Sequence, residues 1–388
     1  MNIAFICTEK NTVPSIRGGA IQIFIEGVSR YLGSQHRLTI YCIEDSALPV
    51  REEANGIEFI RLPQEDYVFE VAKKLARRQA DNRPYDLVHV FNRPRDLVIY
   101  KTAMPDSRFV VSLHNEMLRP SKISKEMGEL AIKAADKIMS ISHYIGRTIV
   151  TRFPSAKSKV ETVYSGIDLL RYVPIWHADS RSLRDDIRRK YGVEHNKVIL
   201  YVGRLSQVKG PDVLVEAMRN IFPAFPDAVL VIVGSKWFSD ERIDDYGAYL
   251  RKLADSVGKT RIIFTNFVPP KHIPDYFLMG DVFVCCSQWE EPLARVHYEA
   301  MGAGLPVITT GRGGNSEIVE DGFNGLVIRD YNNPQAYADK ISFLLSNPGE
   351  ALRLAKAGRA TVERNFGFEH SAKRLEALYK KAMRRKKE

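Results

Sequence analysis

The feature that most restricts this chain is an alternation, run through twice, of short apolar strand-like stretches with segments of helical period. In the first run the strand-like stretches are residues 2–7, 38–43, 57–62, 86–91, 108–113, 137–141 and 159–164. Between the first two, residues 20–32 put Ile21, Phe24, Ile25, Val28 and Leu32 on one side of a helix. A second run takes strands at 197–202, 228–233, 260–264, 281–286, 305–308 and 323–328, with helices at 211–221, 240–257 and 273–279. Residues 334–345, 348–363 and 368–385 then read as helices. Strands that are apolar almost without a break, spaced by helices, form parallel sheets covered on both faces. The expectation is an α/β chain of two doubly wound, Rossmann-like domains facing a cleft. In such sheets the chemistry belongs to loops beyond the carboxyl ends of the strands.

Residues 281–308 carry the densest chemistry. The strand at 281–286 is followed by a polar loop, Ser287-Gln-Trp-Glu290. From Leu293 the apolar residues Val296, Tyr298, Ala300, Met301 and Ala303 recur at half-buried helical spacing. Glu291 is expected where the loop becomes a helix, and Glu299 a little over two turns further on, near the same face. The first N–H groups of such a helix lack intrahelical partners and carry the positive end of its dipole. A phosphate there, flanked by carboxylates that accept from hydroxyls, describes a nucleotide sugar. Two glutamates at this spacing are more often an ordinary solvated face, so the neighbouring motifs decide the reading. Arg204 and Lys209, flanked by Gly203 and Gly210, follow a strand and suit a diphosphate, as a fork and a point charge. Downstream lie the glycine-rich Gly311-Arg-Gly-Gly-Asn-Ser-Glu317 and the turn Asp321-Gly-Phe-Asn-Gly325.

In the first half, Gly18 and Gly19 follow the first strand and open a helix. They offer backbone N–H groups to a phosphate or sugar, or make a simple turn. His114 follows the strand at 108–113, and Glu116 stands two residues on as an acceptor contact or a loop cap.

On these residues the chain resembles the retaining glycosyltransferase family 4, with its Glu-x7-Glu element, over nearly its whole length. Within that family, Arg17-Gly-Gly-Ala-Ile-Gln22, Ser112-Leu-His-Asn-Glu116, Gly234-Ser-Lys-Trp-Phe238 and Ser287 to Glu299 are similar to the bacterial spore coat protein SA type. The resemblance implies the GT-B fold, with an acceptor-side domain at 1–170, a linker at 171–195 and a nucleotide-sugar domain at 196–366. A C-terminal helix, 367–388, crosses back to the first domain. It implies transfer of a hexose, with retention by front-face attack, from a nucleoside-diphosphate sugar to a glycan, lipid or protein acceptor, in a spore coat or cell-surface glycan. A UDP-sugar is the expected donor. His114, Arg204, Lys209 and Glu291 are the implied catalytic residues. Gly18, Gly19, Val268, Leu293, Ala294, Arg295 and Glu299 are the implied donor contacts. Within these sets Arg204 and Lys209 would take the diphosphate, Glu291 the hexose hydroxyls and Glu299 the ribose. The backbone of Leu293 and Ala294 would meet phosphate, and Phe267-Val268 would frame the base. Where much of the family reads Phe-Gly, this chain has Leu293-Ala294, then Arg295, a cation near the leaving group or one turned into a salt bridge. Two other readings stand beside the transferase. One is a coat protein with a vestigial site; the other is a nucleotide-sugar epimerase on the same two-domain plan.

No Asp-x-Asp occurs in the chain, so metal-independent transfer without a cofactor is expected. Cys7, Cys42, Cys285 and Cys286 lie in apolar runs and read as buried, reduced thiols. No run approaches the roughly 20 apolar residues of a membrane span. The N-terminus has no basic n-region, so a cytoplasmic location is expected. The net charge of +10 gathers at Lys73, Lys74, Arg77 and Arg78 and at Lys380, Lys381, Arg384, Arg385, Lys386 and Lys387. These are solvated faces or peripheral contacts with an anionic membrane or coat. With no helix-turn-helix or RNA-binding aromatic signature, nucleic acid is not an expected partner.

Overall fold

The alternation becomes two parallel sheets in a computed structural model that describes residues 1–235 and 244–384. Lys236, Trp237 and Phe238, the first four residues of the helix expected at 240–257, and Arg385, Lys386 and Lys387 lie outside the described residues. The chain divides into two compact units, residues 1–166 with 368–388, and residues 167–367.

The first unit begins β1 (Asn2–Ile6), α1 (Ala20–Leu32), β2 (Arg37–Ile43), β3 (Arg51–Ala54), β4 (Ile57–Leu62) and α2 (Tyr67–Ala80). It continues β5 (Leu87–Phe91), α3 (Pro94–Ala103), β6 (Arg108–Leu113), α4 (Lys125–Ala134), β7 (Lys137–Ser140), α5 (His143–Arg152) and β8 (Val160–Thr162). The sheet order is β3-β4-β2-β1-β5-β6-β7-β8, parallel except for the β3–β4 pair. Strand β5 is buried along its whole length, His89 at its centre included. Strand β3 was not legible as one, because three of its four residues are charged. It forms through a two-residue hairpin: Asn55 and Gly56 take φ of 53° and 74°, and Ala54 faces Ile57. Asn-Gly is the favoured pair for that turn.

The second unit contains α6 (Arg181–Tyr191), β9 (Lys197–Val202), α7 (Pro211–Ile221), β10 (Ala228–Val233), α8 (Asp245–Gly258) and β11 (Ile262–Phe264). Then come α9 (Ile273–Phe277), β12 (Val282–Cys285), α10 (Val296–Gly302), β13 (Val307–Thr310), β14 (Leu326–Ile328), α11 (Pro334–Ser346) and α12 (Pro348–Asn365). Its sheet runs β11-β10-β9-β12-β13-β14, all parallel. The stretch expected as a linker, 171–195, groups with this unit and holds α6. From that helix Arg184 and Arg188 each donate to one oxygen of Asp281, both at 2.6 Å, and Asp281 also accepts from the Val198 N–H at 2.7 Å. One carboxylate thereby fastens α6 to the starts of β9 and β12. The last helix, α13 (Phe368–Met383), belongs to the first unit. Its Ser371 hydroxyl donates to the Tyr164 carbonyl at 3.0 Å, and Tyr379 meets His89 at 2.7 Å. All four cysteines are buried and unpaired.

Asp281→Asn should destabilise the protein by about 2 kcal/mol, less than the loss of a fully buried partner because the side chain is a third exposed. The urea midpoint checks it. Asp186→Asn, which breaks an exposed pair with Arg189 on the same helix, should leave the midpoint in place.

Candidate active site

The order of the second sheet reverses direction between β9 and β12, the place where doubly wound sheets bind ligands. Because β9, β12 and β13 are neighbours, the loops that follow them (203–210, 286–295 and 311–314) come together. Two glycines make the approach possible. Gly210, at φ 67°, sits where an added Cβ would lie 2.3 Å from the Cys286 carbonyl oxygen. Gly313, at φ 59°, sits where a Cβ would lie 2.0 Å from the carbonyl oxygen of Glu291. Any other residue at either position would push a loop away. The loops are then tied by Gln288 N–H to the Val208 carbonyl (2.9 Å) and Gly314 N–H to the Glu291 carbonyl (2.7 Å). Glu290 accepts from the Gly313 N–H at 2.7 Å and pairs with Arg312 at 2.9 Å.

At the centre is Glu291, 5% exposed. Its Oε2 accepts from the Lys209 ammonium, from the Ser287 hydroxyl at 2.9 Å and from the Trp289 indole N–H at 2.8 Å. Burial pushes this carboxyl up. Lys209 above all, then Trp289 and Ser287, outweigh burial and hold it below its ordinary value. Among the described residues all the hydrogen bonds to its side chain fall on Oε2, which leaves Oε1 as an acceptor. The Lys209 ammonium also stands 5.8 Å from the centre of the Trp289 ring. Ser287 and Trp289 were legible only as a polar loop; their positions four and two residues before Glu291 were the available signal. Behind them His297 is fully buried, bonded through Nε2 to Thr309 at 2.8 Å, and burial pushes its pKa down to about 4.

The helix after this loop starts later than expected. Helix α10 has seven residues and begins at Val296, so Glu291, Leu293 and Ala294 lie in the loop before it. The anion site expected at a helix N-terminus beside Glu291 is therefore corrected: the polar groups there belong to the loop. Leu293 and Ala294 are buried, and the Ala294 carbonyl accepts a long 3.4 Å bond from the His297 N–H. Arg295 takes the second of its two expected courses, an ion pair with Glu299 at 3.3 Å. Glu299 is itself buried, and its charge helps burial push the neighbouring Tyr172 phenol up. Tyr172 was not anticipated. Arg204 lies on the loop after β9, where its carbonyl accepts from the Tyr201 hydroxyl at 2.8 Å. Val268 is buried on the loop after β11.

The remaining predicted residues lie in the first unit. Gly19 caps α1 at φ 103°, and Gly18 precedes it at φ 85°. His114 follows β6, and its backbone N–H donates to the Asn92 side chain at 3.0 Å. Its ring sits edge-on to Phe24, 5.3 Å between centres, and burial drives its pKa down to about 3. Its Nε2 is covered and has no hydrogen-bond partner among the described residues. At neutral pH it is an uncharged imidazole, able to make a hydrogen bond but not to supply a positive charge.

Comparison with known proteins adds to this geometry. Residues 184–361 match the family described as Glycosyl transferases group 1, and residues 18–171 match Glycosyltransferase Family 4. The chain is 47% identical to the Bacillus subtilis (strain 168) protein described as "Putative glycosyltransferase YtcC", over 99% of this chain and 93% of that one. It is 45% identical to spore coat protein SA of the same organism, over 98% of this chain and all of that one. Its fold is like that of Anabaena HepE in complex with UDP-glucose, with a TM-score of 0.77 at 21% identity, over 98% of this chain and the whole of the other.

Lys209→Met should leave Glu291 buried without its cation and cost about 3 kcal/mol at pH 7. Glu291 has a depressed folded-state pKa, so its contribution is present above the ordinary carboxylate range and is lost as pH falls through the folded value. The gap between wild type and variant should therefore close as pH is lowered from 7 through the carboxylate range. Denaturant titrations of the ligand-free protein across that window check it; a gap that stays constant with pH would separate Lys209 from Glu291.

Proposed function

This chain belongs to glycosyltransferase family 4, and from that membership we propose that it moves a hexose from a nucleoside-diphosphate sugar, with a UDP-sugar as donor, to a glycan, lipid or protein acceptor with retention at the anomeric carbon. The observation that carries the reading is the convergence of Lys209, Trp289 and Ser287 on one oxygen of the buried Glu291. It keeps the carboxylate ionised and fixed, with Oε1 as the acceptor for hexose hydroxyls. It also fixes the Lys209 ammonium, which has two further N–H donors for a phosphate. When the sugar–phosphate bond breaks, the departing diphosphate gains negative charge. Lys209 and Arg204 then stabilise the transition state more than the bound donor.

In the proposed step the acceptor oxygen bonds to the anomeric carbon on the face the diphosphate leaves. The acceptor proton passes to a phosphate oxygen of that diphosphate, and no protein nucleophile is involved. Glu299, held by Arg295, takes the ribose, Val268 frames the base, and the backbone of Leu293 and Ala294 meets phosphate. The same reading gives Gly18, Gly19 and the neutral His114 substrate contacts in the first unit. We infer transfer without a metal from the sequence, which has no Asp-x-Asp to hold a diphosphate through a divalent ion. Likeness to spore coat protein SA supports a product in a spore coat or cell-surface glycan. No helix of the described residues is long and apolar enough to cross a membrane.

Substituting the two glutamates tests the assignment. Glu291→Gln should lower kcat by about 100-fold, a loss of roughly 2.7 kcal/mol of transition-state stabilisation, with the affinity for free UDP almost unchanged. Glu299→Gln should weaken UDP and the intact donor alike by about 10-fold or more, since a charge-assisted bond contributes roughly 1.5–3 kcal/mol. Calorimetry with UDP beside steady-state kinetics reads both, and the reverse pattern would mean the donor lies the other way round. Turnover should also survive excess EDTA; activity lost to the chelator and restored by Mn²⁺ would overturn the metal-free step.

A further inference from the structure

The first sheet also has a reversal of strand order, between β1 and β5, and the loops that leave its carboxyl edge there carry an excess of cations. Lys10 lies on the loop after β1, Arg93 and Arg95 follow β5, and Arg119 and Lys122 follow β6. Hydrogen bonds hold these loops together. Arg93 grips Glu9 with two bonds, at 2.7 and 2.5 Å. Arg95 donates to the Lys122 carbonyl at 2.7 Å, and Asn92 holds the His114 N–H. The Lys122 N–H donates to the Arg119 carbonyl at 2.9 Å.

The carboxylates nearby are already engaged. Glu9 is taken by Arg93, and Glu116 accepts from the Tyr144 hydroxyl. Burial pushes Asp96 up to about 6, so it stays largely ionised at pH 7, and the cations that act on it are Arg93 and Arg95. The cations are not so matched. Among the described residues the side chains of Lys10 and Arg119 donate no hydrogen bond, and the hydrogen bond of the Lys122 ammonium goes to the thioether of Met117 at 3.4 Å, a weak acceptor. Lys10 and Arg119 are exposed, and Lys122 is half-buried. Burial pulls the Lys122 pKa down, and Arg119, Arg93 and Lys10 add to the pull, with Glu116 opposing it less strongly. Cations that repel one another at the ligand edge of a parallel sheet are relieved by a bound anion.

We propose that Lys10, Arg119 and Lys122 form a subsite for a phosphate group carried by the acceptor; this rests on reading the first unit as the acceptor side. Two or three flexible cations recognise a phosphate as point charges and as a fork, without needing a buried cavity. The sugar or alcohol that bears the phosphate then determines where its hydroxyl lies.

Brief acetylation of the whole protein with acetic anhydride, read lysine by lysine by mass spectrometry, tests this at constant ionic strength. Glycerol 3-phosphate at twice its dissociation constant should slow labelling of Lys10 and Lys122 about 3-fold relative to sodium chloride, the occupancy ratio for one site. Glycerol should not. Arg119→Gln, an exposed change, should weaken protection of both lysines. Labelling equal to that in chloride with both glycerol 3-phosphate and vesicles of phosphatidylglycerol, or equal protection by glycerol, would overturn the subsite. Vesicles of phosphatidylglycerol form a second arm. Protection by them alone identifies a lipid headgroup as the source of the phosphate, and protection by glycerol 3-phosphate a free phosphomonoester. Protection by phosphatidylcholine vesicles to the same degree would count against an anion site. Protection of Lys209 by UDP-glucose is read in the same digest, so a failed donor reading leaves the result at Lys10 and Lys122 intact.

Discussion

A carboxylate taken out of water must be met by charge and hydrogen bonds, and much of the second unit answers that demand at Glu291. The effective penalty for burying such an ion is several kcal/mol before compensation. Lys209, Ser287 and Trp289 supply the compensation, and all three must reach a single oxygen. Lys209 comes from a different loop, so the loops after β9 and β12 have to touch. Gly210 permits the contact on one side, and Gly313 closes it on the other. The parallel order of β9, β12 and β13 is what makes such loops neighbours.

The parts of this arrangement were legible to different degrees. The strands could be read because buried parallel strands are apolar without interruption; β10, Ala-Val-Leu-Val-Ile-Val, has no other reasonable reading. Strand β3 could not, since an edge strand of charged residues has no such pattern, although the Asn55-Gly56 pair was a hairpin signal in plain view. The start of α10 was misplaced because periodicity marks a face and not the first closed turn. The pairing of Lys209 with Glu291 spans 82 residues, and nothing local encodes it. Arg184 and Arg188 fall in the stretch expected as a linker, 171–195. Their partner, Asp281, stands over 90 residues away at the start of a strand.

The two sheets treat their points of reversal in related ways. In each, a cation on one loop is held by a glutamate on another: Lys209 by Glu291, and Arg93 by Glu9. Such a pair leaves the cation positively charged but fixes where it points. The difference lies in what surrounds the pair. In the second unit the neighbours of the carboxylate are neutral donors, Ser287 and Trp289. In the first they are further cations, which gives that edge its net positive field.

Helix α13 has a consequence for how the chain is made. It fits α1 closely: a Cβ added at Gly27 would lie 2.4 Å from the Phe368 ring, and one added at Gly166 would lie 2.8 Å from the Phe368 backbone. Phe368, Leu375, Leu378 and Tyr379 are all buried in the first unit. During synthesis, domains tend to fold as soon as their residues are available. Here residues 1–166 emerge first but wait for the last helix, while 167–367, one unbroken segment, can be completed in the interval. The apolar groove along α1 is exposed throughout that interval, so the half of the protein translated first is the half finished last.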